Sequence, residues 1–190
     1  MSAEGPSLGR RRVMMALPLA GAGVVGAAFW SMLSGMQKGS FNPHDINAPS
    51  AGRPVPDFTV TDQTPGVGFS SHDLQAITAP VLINFFASWC IPCIAEMPQL
   101  LKLRDRLPIW GIAYKDKPDN AAGFLRHAGN PYARIGSDFE GRVAIDWGVS
   151  GVPESFLIAP GGKIVWHGAA GLNNDEVQNA LDAALGQAKR

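Results

Sequence analysis

Cys90-Ile91-Pro92-Cys93 holds both cysteines of the chain. Two thiols separated by two residues can cycle between dithiol and disulfide. The attacking species in such chemistry is a thiolate, so the pair needs surroundings that stabilise a charged sulfur. The flanking sequence provides a candidate. Val81 to Phe86 is an apolar, strand-like run, and Ile94 to Leu107 has helical spacing, so the cysteines fall at a strand-to-helix turn. Cys90 at the helix start would face unpaired amides and the positive end of the helix dipole. The dipole contributes about 1 kcal/mol, or ~0.7 pKa unit, so hydrogen bonds from the amides must add the rest. Cys90 is therefore expected to attack, and Cys93, one turn deeper, to resolve the mixed disulfide. Ile91 and Pro92 restrict the turn and help set the potential, for which about 30 mV is a tenfold change in equilibrium constant.

Other uses of two cysteines fit less well. They are too close to staple much chain. A structural zinc site wants four ligands, and His44, His72, His127 and His167 are scattered, reading as surface or loop residues. No metal and no cofactor is expected. Val152-Pro153-Glu154 is the second informative stretch. Pro153 just before a strand reads either as an ordinary turn proline or as a cis proline beside the cysteines, which would leave a backbone edge free for a substrate peptide. Glu96, three residues past Cys93, shares its helix face. Glu154 follows the supposed cis proline, and either carboxylate, if near the pair, would raise a thiol pKa and could accept the proton of Cys93 during resolution, so Glu154→Gln is expected to slow turnover.

The elements that must position these groups follow in chain order. Residues 57–61 alternate as a half-buried strand, Pro65-Gly66 marks a turn, and Val67 to Ser70 returns as a second strand. Asp73 to Ala79 reads as a helical turn ended by Pro80. Val81 to Phe86 is a central strand, nearly all apolar. The helix after Cys90 is expected to kink at Pro98 and to close at Leu107-Pro108. Ile109 to Tyr114 is a strand. Asp119 or Asn120 caps a helix to about His127, stopped by Gly129-Asn130-Pro131. Tyr132 to Asp138 is irregular or an edge strand, and Gly141 to Trp147 gives one or two helical turns. Residues 155–159 and 163–167 flank Pro160-Gly161-Gly162 as a hairpin, and Asp175 to Lys189 is an amphipathic terminal helix. The fold class is α/β: a central mixed sheet flanked by helices, with an extra N-terminal β-hairpin outside it.

Composition bounds the partners. Sixteen basic and sixteen acidic side chains give no net charge, which argues against nucleic-acid binding. The one tight basic cluster, Arg10-Arg11-Arg12, precedes an uncharged stretch from Val13 to Met36. That stretch is about 24 residues, ~36 Å as a helix, enough to span a hydrocarbon core with some tilt. Residues 1–12 read as a cytoplasmic N-terminus, 13–36 as a transmembrane anchor, 37–53 as a tether and 54–190 as one folded domain. A cleaved signal peptide is the competing reading of 13–36. Both put the domain outside the cytoplasm, in a periplasm.

Trp89-Cys90-Ile91-Pro92-Cys93 with Pro98, together with residues 151–158, resembles the thioredoxin-like superfamily. Tyr114-Lys115-Asp116, Gly129-Asn130-Pro131-Tyr132 and Gly168 to Asn173 narrow the resemblance to the membrane-anchored thiol–disulfide oxidoreductases of cytochrome c maturation, the CcmG/DsbE type. It runs from about Pro54 to the end. It implies a thioredoxin-like fold, Pro153 in cis, and an inner-membrane, single-pass reductase with its C-terminal domain in the periplasm. Electrons would come from a membrane thiol–disulfide transporter and pass to the CxxCH disulfide of apocytochrome c or to a haem-ligation partner. Two acidic residues near the thiols characterise that family; the matching positions are Glu96 and Glu154. Asn84 stands where many thioredoxins carry a buried Asp. The sequence leaves other functions open: a general periplasmic thiol reductase or isomerase of the same fold, and, less well matched, a copper-delivery protein or a peroxidase.

Overall fold

The computed structural model of the protein describes residues 51–61, 68–173 and 175–188, together with residues 23, 25–27, 30 and 31, which are helical. The chain divides into two compact units, Met1–Ile46 and Asn47–Arg190. Most of the stretch expected to be a membrane anchor, and the turn expected at Pro65-Gly66, lie outside the described residues. Among the described residues no helix is long and apolar enough to cross a membrane.

The second unit is built on Val81–Phe86 (β3), whose six side chains are all buried. A strand buried on both faces must be covered twice, and it is. Ile109–Tyr114 (β4) pairs with it in parallel and Glu154–Ala159 (β6) antiparallel. Arg134–Asp138 (β5) adds in parallel beyond β4, and Lys163–Gly168 (β7) antiparallel beyond β6. The order β5-β4-β3-β6-β7 is the mixed sheet expected. Among the described residues five helices flank the sheet: Ser71–Gln75 (α1), Ile91–Leu103 (α2), Pro118–Ala128 (α3), Arg142–Trp147 (α4) and Asp175–Ala188 (α5).

Alternation along the strands makes two cores. Leu82, Phe86 and Leu157 point to one face and meet Met97 and Leu100 of α2, Leu125 of α3 and Leu181 of α5. Ile83, Phe85 and Phe156 point to the other and meet Leu74 of α1 and Trp147 of α4. The thiols belong to the first core.

Several boundaries differ from the sequence expectation. Helix α1 starts at Ser71, because Ser70 and Asp73 form a reciprocal capping box. Helix α2 runs on through Pro98 but ends at Leu103; Leu107 is buried from the turn that follows, not from a helix face. Helix α3 begins at Pro118 behind Lys117, so neither Asp119 nor Asn120 caps it. Pro118 suits the first turn, where a missing N–H costs nothing, and Asp119 lies within that turn. Residues 134–138 form a regular edge strand. The tether ends sooner than expected: Gly52 and Arg53 already hydrogen-bond to Ile164 of β7.

The hairpin, Thr59–Val60 (β1) with Phe69–Ser70 (β2), is antiparallel and forms its own two-stranded sheet. It does not stand apart from the core. Phe58, Val60 and Phe69 bury in the second core, and Ser137 N–H donates to the Thr61 carbonyl. Its seat is Gly136 of β5. A Cβ there would lie 2.1 Å from Cγ2 of Val60. Gly136→Ala is therefore expected to push the hairpin off the sheet and to destabilise the unit by about 1–3 kcal/mol. The urea unfolding midpoint should fall, and an unshifted midpoint would contradict this seating.

Candidate active site around Cys90 and Cys93

Helix α2 fixes the pair. Cys90 is its N-cap and Pro92 sits in its first turn, where proline is preorganised for a helix. The Cys93 N–H points at Sγ of Cys90, 3.1 Å away. That is the amide contact a thiolate at Cys90 would use. The two sulfurs are bonded as a disulfide, with Cα atoms 5.3 Å apart. Cys90 is 4% exposed and Cys93 0%, so of the two residues only Cys90 offers any surface to a partner.

The loop before the helix is pinned from behind. The N–H and the hydroxyl of Ser88 both donate to the buried carboxylate of Asp116. The Trp89 indole N–H donates to the Lys115 carbonyl, at 3.2 Å. Tyr114-Lys115-Asp116 thus shapes the thiol loop. Lys115 itself sits at φ 46°, a left-handed turn that brings its carbonyl round to Trp89. Trp89, Ile91 and Ile94 are exposed apolar side chains around the pair.

Val152-Pro153 is a cis peptide bond, and the Val152 carbonyl oxygen lies 3.4 Å from Sγ of Cys90. Pro153 also approaches Glu96 across Gly171. A Cβ on Gly171 would lie 3.5 Å from a Glu96 carboxylate oxygen and 3.6 Å from the Pro153 ring. Gly171 and Leu172 therefore lie beside Glu96 and Pro153, and Leu172 is buried there.

Glu96 is not a solvated helix residue. It is 1% exposed and on the same buried face of α2 as Cys93 and Met97. One carboxylate oxygen accepts from the Asn84 amide at 2.9 Å, the other from the Leu172 N–H at 3.0 Å. Asn84 also donates to Ser155 and accepts from the Tyr132 hydroxyl, at 2.7 Å. Burial raises the Glu96 carboxyl above its ordinary value, and the bonds from Leu172 and Asn84 only partly offset that. Burial, and then the charge of Glu96, push the Tyr132 hydroxyl well above its ordinary value, so it stays a donor.

Glu154 is placed differently from expectation. In the β3–β6 register it lies opposite Phe85, whereas Ser155 lies opposite Asn84. Its side chain therefore enters the second core, across the sheet from Glu96 and Cys93. There it accepts from the Ser150 N–H, the Ser150 hydroxyl and the Gly151 N–H, and Nε2 of His167 bonds its other oxygen at 2.8 Å. Burial would raise the Glu154 carboxyl, but the bonds from His167 and Ser150 outweigh it and hold it below its ordinary value. Both oxygens of Glu154 are therefore engaged on the face of the sheet opposite the one that carries Glu96 and Cys93.

The structure thus brings together Cys90, Cys93, Trp89, Pro92, Glu96 and Pro153, and sets Glu154 behind them. Sequence reasoning missed Tyr132, Ser155 and Leu172 around Glu96. It also took His167 for a surface or loop residue, whereas its side chain is buried against Phe156 and Glu154. Strand alternation held the missing signal: His167 and Trp166 face opposite sides of β7, and a polar residue at an inward position needs a partner. Among the described residues no cluster of three His, Cys, Asp or Glu side chains could hold a metal ion.

Comparison with known proteins agrees with this geometry. Residues 51–167 match the AhpC/TSA family. The chain is 36% identical over 174 residues to the thiol:disulfide interchange protein HelX of Rhodobacter capsulatus, covering 90% of this chain and 95% of that protein. It is 38% identical over 168 residues to the thiol:disulfide interchange protein DsbE homologue of Paracoccus denitrificans, covering 87% and 89%. The thioredoxin domain of a thiol-disulfide oxidoreductase from Bacteroides vulgatus superposes with a TM-score of 0.60 at 21% identity, over 73% of this chain and 99% of that one, a likeness of fold.

Proposed function

The chain belongs to the AhpC/TSA family, as a thiol–disulfide oxidoreductase akin to the thiol:disulfide interchange proteins, and from that premise we propose that it is a reductant of cytochrome c maturation. In this reading the reduced Cys90 thiolate attacks one sulfur of the CxxCH disulfide of apocytochrome c, or of a haem-ligation partner. The substrate S–S bond breaks, one substrate sulfur leaves as a thiol, and the other is held to Cys90. Cys93 then loses its proton and attacks Sγ of Cys90. The second substrate thiol is released and the Cys90–Cys93 disulfide re-forms. Two electrons and the Cys93 proton have passed to the substrate, solvent supplies the second proton, and a membrane thiol–disulfide transporter delivers two further electrons that reduce the pair again.

Cys90 capping α2 with the Cys93 N–H on its sulfur, while Cys93 itself is sealed, is the observation that carries this reading. Glu96, on the buried face of the same helix, is the acceptor for the Cys93 proton. Trp89 and Pro92 shape the exposed side of the turn, and Pro153 offers the backbone beside it. The uncharged stretch 13–36 behind Arg10-Arg11-Arg12 supports an inner-membrane, single-pass protein with residues 54–190 in the periplasm. Disulfides persist there, so a reductant must be supplied with electrons across the membrane.

Trapping tests the assignment. With Cys93 replaced by alanine, the mixed disulfide on Cys90 cannot resolve and should accumulate in the periplasm. Recovery of apocytochrome c or its haem-ligation proteins is the expected result. A broad mixture of secreted proteins would identify a general reductase or isomerase instead.

A further inference from the structure

The loop that carries Val152 and Pro153 is held by an acid on the face of the sheet opposite Glu96 and Cys93. Glu154 is 1% exposed, and both of its oxygens are occupied. One gathers two backbone N–H groups and a hydroxyl, all from Ser150 and Gly151, the two residues immediately before Val152. The other is fixed by His167 of β7. That ring is itself held flat against Phe156, with centroids 4.0 Å apart and planes 9° from parallel. Ser150-Gly151 is thus tied to the β6–β7 strand pair. The next residue presents its carbonyl 3.4 Å from Sγ of Cys90.

We propose that Glu154 and His167 are positioning residues for a peptide disulfide: through Ser150 and Gly151 they fix the backbone edge at Val152-Pro153 along which the peptide aligns over Cys90. A loop with six successive residues outside regular structure before β6 would otherwise sample several placements of that edge. Three hydrogen bonds to one carboxylate oxygen remove that freedom before the substrate arrives, so less ordering is left to do on binding. A small disulfide needs only the sulfur; a peptide needs the sulfur and the edge together. The proposal rests on the thiol–disulfide reading of the site, which would itself fail if the wild-type protein were inert toward both kinds of disulfide.

The test compares two substrates of the reduced full-length protein: 2-hydroxyethyl disulfide, and a peptide closed by a Cys-x-x-Cys disulfide. For Glu154→Gln, kcat/KM for the peptide should fall about tenfold, mainly through KM, and clearly more than for the small disulfide. His167→Ala should show the same split. His167→Gln, whose side-chain amide can still donate to Glu154, should recover most of the loss. If Glu154→Gln does not fold, the two His167 variants carry the comparison. Equal losses on both substrates, a loss confined to kcat, or no loss would each overturn the proposal.

Discussion

Replacing Cys90 with serine is expected to abolish disulfide exchange, by on the order of 10⁴-fold or more, as loss of a nucleophile does in other enzymes. Serine is a sharp test here because it should leave the fold alone. Cys90 is the N-cap of α2 and its sulfur receives the Cys93 N–H; a serine hydroxyl is among the best groups for that position. What the variant loses is the sulfur and, with it, the disulfide that closes the Cys90–Cys93 turn. For so short a loop that loss costs the oxidised form about 2 kcal/mol. Far-ultraviolet circular dichroism should match that of the reduced wild type, while reduction of a disulfide substrate, followed by thiol release, falls to background. Serine at Cys93 should behave differently. The first attack survives and the reaction stalls as a mixed disulfide. Residual steady-state turnover by the Cys90 variant would show that attack occurs at another sulfur.

The fold was legible because its signals are local. A nearly all-apolar run, broken only by Asn84, gave β3, a Pro-Gly-Gly turn gave the β6–β7 hairpin, and helical spacing gave α2 and α5. Cys90, Cys93 and Pro153 were legible for the same reason, each lying in a short stretch with a single chemical logic. The polar network was not. Asn84, Glu96, Tyr132 and Leu172 come from four elements and meet only once the sheet and the loop carrying Leu172 are assembled. Glu154 shows the limit most clearly. Its neighbour Pro153 lies beside the thiols, and adjacency in sequence suggested that the acid did too. Strand geometry sends successive side chains to opposite faces, so one residue of offset put the carboxylate on the far side of the sheet. His167 was lost the same way, since its partner is thirteen residues distant and visible only in the β6–β7 register.

With Glu154 behind the sheet, the proposed mechanism assigns the proton of Cys93 to Glu96, and Glu96→Gln is then expected to slow resolution of the mixed disulfide by about 10²-fold near neutral pH. Glutamine keeps the size of the side chain and one acceptor. It cannot accept from both Asn84 and Leu172, nor take a proton. The pH dependence separates these losses. Burial raises the Glu96 carboxyl above its ordinary value, so the wild-type rate should gain a limb that climbs with pH as that carboxyl ionises. The variant should lack that limb and retain only the dependence set by the thiol. Stability should move in the opposite sense. A carboxyl whose folded pKa is raised binds its proton more tightly in the folded state. It therefore contributes stability below the unfolded pKa, and that contribution is lost as pH rises through the folded one. The wild type should lose stability across this window relative to the glutamine variant, whose site does not titrate. Stopped-flow resolution rates and urea midpoints over one pH series read both effects from the same samples. Parallel pH–rate curves for the two proteins would remove Glu96 from the proton path, whatever the difference in absolute rate, because a merely structural defect lowers the curve without deleting a limb.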